Sequence, residues 1–251
     1  MSPLSRRVGR YGVLLRAISI SLLAAPAAIP SDSITRPAYP GPDPGPFSVT
    51  LEPGVGSEGS RIEVRNRAIS ATWRLTSRGL QPGPVQDVAV NQSLHPTGEV
   101  FQIVLGDSTR YLASELTPAS GPRLNPLAPD PAASCGARWM AGHEIVLPLR
   151  AADGRLQLEW RVIARDGGNY VRQELRLQTP ARLDLREILW CDESLPYLAA
   201  GGAVDGSPVT AGTFFLGGED PMARNGLAAA PGGATRVTCR QPRPAPLLEG
   251  E

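Results

Sequence analysis

From Arg155 to Gln178 the chain alternates twice. In RLQLEWRVIA (Arg155–Ala164), Leu156, Leu158, Trp160 and Val162 fall on one side, with Gln157, Glu159 and Arg161 opposite. In NYVRQELRLQ (Asn169–Gln178), Val171, Leu175 and Leu177 share a side, and Tyr170, Arg172, Glu174 and Arg176 take the other. A repeat of two is the period of a strand, not a helix. The RDGG between the runs carries Asp-Gly turn chemistry, so the pair predicts an antiparallel hairpin. If a second sheet covers the polar face, Arg172 and Glu174 must find opposite charges there.

The remaining chain follows the same rule. FSVTLE (47–52), RIEVRN (61–66), AISATWRLT (68–76), VQDVAVNQ (85–92), EVFQIVLG (99–106) and RYLASELT (110–117) are β-rich runs broken by turns. LDLREILW (183–190), AGTFFLGG (211–218) and TRVTCRQ (235–241) complete the set. The 27 Gly and 26 Pro punctuate the chain at short intervals, and no convincing helical period intervenes. Two stretches read as loops: the proline-rich 118–134 and the Gly/Ala-rich 225–234. The expectation is an all-β protein, a two-sheet antiparallel β-supersandwich with its sheets packed face to face.

The first residues predict export. Arg6, Arg7, Arg10 and Arg16 precede the apolar run Ala17–Ala28, too short for a membrane span but suited to a secretory signal. The expected organisation is a signal peptide over 1–28, a Pro-rich linker over 29–46, a β-domain over 47–241, and a tail or linker start over 242–251. The expected location is secreted or periplasmic in a bacterium, with no transmembrane anchor after signal cleavage. Net charge is +1, so no global basic field steers the chain to nucleic acid. All 25 basic residues are Arg, which removes lysine nucleophile chemistry. Cys135, Cys191 and Cys239 have no metal-binding spacing and allow one bridge or none.

No cofactor or metal is expected. His95 and His143 stand alone in sequence, so neither suggests a zinc site. GxSxG and a phosphate-cradling loop before a helix are absent. Two acidic pairs draw attention instead. Asp192-Glu193 follows Trp190-Cys191 at a strand end, and Glu219-Asp220 follows FFLGG at another. Sugars stack their CH faces on aromatic rings and present hydroxyls to charged acceptors. Trp190, Asp192, Glu219 and Asp220 are therefore the candidate carbohydrate-binding residues. Acids at strand ends also occur simply for solubility.

One resemblance emerges from these residues. NYVRQELRL, a strand ending in Trp-Cys-Asp, and GSPVTAGTFFLGGEDPMA together resemble the N-terminal, galactose mutarotase-like β-supersandwich of large secreted bacterial glycoside hydrolases of the α-galactosidase type. The matching positions are Gly206-Ser207-Pro208, Gly212, Phe214-Phe215, Gly217, Glu219 and Pro221, and RIEVRNRAISATWRL resembles the opening strands. The likeness covers Phe47–Glu251. It implies a non-catalytic, carbohydrate-associated module whose partners are a polysaccharide or glycan and, in a full-length parent, a catalytic (β/α)8 barrel. The barrel's catalytic aspartates have no counterpart here. One alternative is a mutarotase or small glycosidase using Glu219 with Asp192 or His143, and another is an envelope structural or interaction domain. On this reading Phe214 and Phe215 are architectural, and Trp190 and Glu219 carry function.

Overall fold

The computed structural model describes residues 41–54, 59–204, 206–230, 235–243 and 245–250. The expected signal peptide and most of the expected linker lie outside them. The fold is all-β and antiparallel throughout. The first sheet runs in chain order: β1 (Ser48–Glu52), β2 (Ser60–Arg65), β3 (Ile69–Thr76), β4 (Gly79–Asp87) and β5 (Gln92–Leu94). The chain then starts a second sheet with β6 (Gln102–Leu105) and β7 (Arg110–Leu112). A third is built from β8 (Thr117–Pro118), β9 (Arg123–Leu127), β10 (Gly142–Arg150), β11 (Gln157–Arg165) and β12 (Arg172–Gln178). The chain returns to the second sheet with β13 (Leu185–Ser194), and detours through a three-stranded sheet of β14 (Leu198–Ala200), β15 (Val209–Ala211) and β16 (Phe214–Leu216). It closes the second sheet with β17 (Arg224–Ala229) and β18 (Thr235–Pro242), giving the order β17-β18-β13-β6-β7.

The β11–β12 hairpin forms in the register its alternation demands, with Trp160 opposite Leu175 and Arg161 opposite Glu174. Its apolar face buries Leu158, Trp160, Val162, Leu175 and Leu177 in one core with residues of both other five-stranded sheets. At the centre, Trp73 of β3 meets Trp160 edge to face, with ring centroids 5.2 Å apart. A smaller core of Leu94, Leu195, Val209, Ala211, Phe214, Val237 and Cys239 seats the three-stranded sheet. The polar face of the hairpin pairs its charges with opposite ones. Arg161 pairs with Glu144, both side chains nearly buried, and also lies 3.6 Å from Glu174, which is 3.5 Å from Arg172.

Four local expectations are corrected. Arg123–Leu127, read as loop, is a strand along β10; it is an outer strand, where Pro126 removes a donor the sheet does not need. Asn225–Ala229, also read as loop, is most of β17, ordered by pairing with β18. The run 211–218 is not one strand: Gly212 takes φ +62°, and Gly212-Thr213 is the two-residue loop of the β15–β16 hairpin, with glycine at its first central position. Strand β4 begins well before Val85 and passes through Pro82 and Pro84. It tolerates them because β5 pairs only with Val85–Asp87 and because β4 itself bulges at Gly83-Pro84, two residues that face the single Thr72 between Ala71 and Trp73 of β3.

Both ends of the domain extend past the expected boundaries. Pro44 accepts a hydrogen bond from the Arg67 amide (3.0 Å), and Gly45 from that of Gly167 (2.8 Å). Leu247 exchanges backbone hydrogen bonds with Leu183 and is 1% exposed within the main core.

Candidate functional site

A cleft of about 890 Å³ opens where all four sheets meet. One wall is Asn169–Arg176, the residues leading into β12 and the first part of that outer strand; another comes from β3 and β4 around Thr72, Trp73 and Val85. The floor is Trp190 and Cys191 of β13 with Cys239 and Gln241 of β18, and the segment Thr213–Asp220 overhangs it.

A bulge in β13 shapes the floor. Gln241 and Cys239 lie two residues apart on β18 and so share a face, yet their partners on β13 are Ile188 and Cys191, three apart. The extra residue is absorbed between Leu189 and Cys191, the position where a bulge re-aims a side chain. Trp190 is the residue so placed. Its ring packs edge to face with Phe101 (6.4 Å between centroids), and its indole N–H donates to Gln241 Oε1 at 3.1 Å. Gln241 Nε2 in turn donates to Asp220 Oδ2 at 2.6 Å, while the Met222 amide donates to Asp220 Oδ1 at 2.7 Å. The floor tryptophan and the overhanging carboxylate are thus held by one relay.

The overhang depends on close packing. At Gly218 a Cβ would stand 2.5 Å from the Cβ of Ala223, so the loop between β16 and β17 turns only with glycine there. Phe214 points inward and is 8% exposed, whereas its neighbour Phe215 is 70% exposed at the cleft. The pair splits because successive strand residues face opposite ways. Phe214 is therefore part of the smaller core, and Phe215 is not. Tyr170, 44% exposed, lines the cleft as well, and burial of its hydroxyl raises its pKa.

Glu219 forms an ion pair with Arg172. Through Arg172 it joins Glu174, Arg161 and Glu144 in a continuous row of alternating charge. Of the residues singled out from sequence, Trp190, Glu219 and Asp220 line this cleft together. Asp192 does not. Alternation turns it to the other side of β13, where Arg236 binds it through two hydrogen bonds (2.5 and 2.6 Å) beside a separate depression of about 310 Å³. His143 is not at the cleft either: it lies on β10 between Ala164 and Pro126, with Nδ1 buried and unpartnered. Gln241, Arg172, Tyr170 and Phe215 were not candidates. Their approach to Trp190 is made by strand pairings and turns far apart in sequence, and only the exposed aromatic after a turn glycine left a local trace.

Glu193 lines both depressions and is 7% exposed. Its carboxylate accepts the Thr97 amide at 2.9 Å, yet burial pushes its pKa above the ordinary 4.5. A folded-state pKa above the unfolded one stabilises fully below the unfolded value and loses that contribution as pH rises through the folded value. Glu193→Gln keeps an acceptor for Thr97 without the charge. Calorimetry from about pH 4 to 8 is expected to show a smaller fall in melting temperature above pH 4.5 for this variant than for the parent. Parallel curves for the two proteins would rule out a buried-charge penalty at Glu193.

Among the described residues no group of three or more His, Cys, Asp or Glu is placed to hold a metal ion, and no helix is long and apolar enough to cross a membrane. No protein-family model matches the chain, and no curated protein or solved structure matches it at a significant level. The likeness to mutarotase-like domains rests on the motif residues alone.

Proposed function

We propose that the protein is a non-catalytic carbohydrate-binding β-module, and that the cleft over Trp190 receives a neutral glycan. The observation that carries this reading is the Trp190–Gln241–Asp220 relay on the floor of a cleft flanked by exposed Phe215 and Tyr170. The rings offer apolar faces for sugar CH groups, and the polar groups offer fixed hydrogen-bond partners for hydroxyls. The volume lies within the range of small-ligand sites and suits a few sugar rings. Glu219 is held by Arg172 and Asp220 by Gln241 and an amide, an arrangement that favours steady acceptors over proton transfer. Export and association with a glycoside hydrolase belong to the same proposal.

The test is a glycan array followed by calorimetry on the best binder. Phe215→Ala removes an exposed ring and spares both cores, so it is expected to weaken binding by about 2 kcal/mol, roughly thirtyfold in Kd, as for an aromatic hot spot. Failure of the parent protein to bind any glycan would defeat the proposal. Full affinity in the Phe215→Ala variant would move the site elsewhere.

A further inference from the structure

We propose that Cys191 and Cys239 are a redox-active pair that closes into a cross-strand disulfide in the cleft floor, leaving Cys135 as the free thiol. The two residues are direct partners across the β13–β18 ladder. Directly opposed residues of an antiparallel pair hold their Cα atoms about 4.5 or 5.5 Å apart, inside the span of about 4.4–6.8 Å that a disulfide bridges. Both side chains face the same way and line the cleft, and each thiol is the largest influence on the acidity of the other. All three cysteines are reduced in the structure. Cys135 sits exposed at the start of the short helical turn Gly136–Trp139, away from the ladder.

Each sulfur shifts the acidity of the other, Cys191 upward and Cys239 downward, through their mutual contact and with burial acting on both. Thiolate is the attacking species in exchange, and attack by either sulfur first gives the same bridge. Where Cys239 goes first, with a small-molecule disulfide RSSR as oxidant, it attacks one sulfur, the RS–SR bond breaks, and the first RS⁻ leaves. Cys191 then loses its proton, attacks the Cys239 sulfur, and expels the second RS⁻. Two protein thiols are oxidised, RSSR is reduced, and the two protons released end on two RSH.

The bridge would staple β13 to β18 beside Trp190, at the two roots of the segment that carries β14–β17 and the overhang. The inference does not depend on what occupies the cleft. The test equilibrates the native protein with oxidised and reduced glutathione. The sample is then quenched in acid, alkylated under denaturing conditions, and mapped by peptide mass spectrometry. On the oxidising side the expected result is a linked peptide pair containing Cys191 and Cys239, with only Cys135 alkylated; reduction restores all three alkylations. The Cys135→Ser variant is expected to give the same linked pair. The proposal is overturned by three alkylations on the oxidising side, by any bridge to Cys135, or by a stable glutathione adduct at Cys191 or Cys239 in place of the bridge. The primary measurement uses the unaltered protein and does not depend on a variant folding.

Discussion

Trp160→Ala is expected to lower unfolding free energy by about 4 kcal/mol, within the usual range for removing a large aromatic from a core. The residue has no exposed surface and stands on β11 with Leu147 of β10 on one side and Leu175 of β12 on the other. Three effects add. The ring's apolar area returns to water on unfolding no longer as a gain. The cavity left behind has rigid strand backbone around it and cannot collapse fully. The edge-to-face contact with Trp73 is lost, worth about 0.5–1.5 kcal/mol beyond area. A fourth effect is separable: the indole N–H donates to Gln173 Oε1 at 2.9 Å. Trp160→Phe keeps most of the ring and removes the donor, so it should cost less than half as much. Urea titrations of the three proteins decide this. A Trp160→Ala loss below about 1 kcal/mol would mean that the three sheets do not share one core around this ring.

Arg161→Met is expected to cost about 3–5 kcal/mol, and the double variant Arg161→Met with Glu144→Leu to recover most of it. The two side chains are 13% and 8% exposed and pair directly. Glu144 also accepts from Asn125 Nδ2 at 3.3 Å. Arg161 Nε is buried without a partner, so the pair is incompletely satisfied. Removing the cation strands a buried carboxylate, whereas removing both charges exchanges them for apolar contact. A double-mutant cycle by chemical denaturation measures the coupling. Additive losses would show that the two residues do not stabilise each other. Arg161 is also the link between Glu144 and the cleft charges, because Glu174 contacts both Arg161 and Arg172. The single variant should therefore loosen Arg172 and Glu219 as well.

The sequence revealed what two-residue alternation controls. The β11–β12 register and the opposite-charge pairing on the hairpin's polar face both follow from one strand and its nearest neighbour. Missed elements were those whose order is supplied from a distance. RNGLAA of β17 has the composition of a loop and becomes a strand because β18 offers it a free edge. RLNPL of β9 does so along β10. The site divides in the same way. Trp190, Glu219 and Asp220 stood out by residue type at element ends, and the cleft unites them. Asp192 stood out equally, but strand alternation sends it to the opposite side, toward Arg236. Gln241 was silent because nothing local marks a glutamine that will bridge a tryptophan 51 residues earlier and an aspartate 21 residues earlier.

The bulge at Trp190 gives β13 two phases. Leu185 and Ile188 before it belong to the main core, and Leu195 beyond it belongs to the smaller one, against which Cys191 packs. Changes of residue and changes of length are therefore not equivalent here. A substitution at Trp190 alters one side chain and leaves every other facing as before. Losing Trp190 itself would restore strict alternation across this point and leave Leu189 opposite Arg240 and Cys191 opposite Cys239, whereas losing a residue further along β13, where no bulge takes up the difference, would turn the residues beyond it to the other face. Variation in what this floor presents is thus open to point replacement along β13, and to a loss of one residue only at the bulge, where the loss is the indole itself.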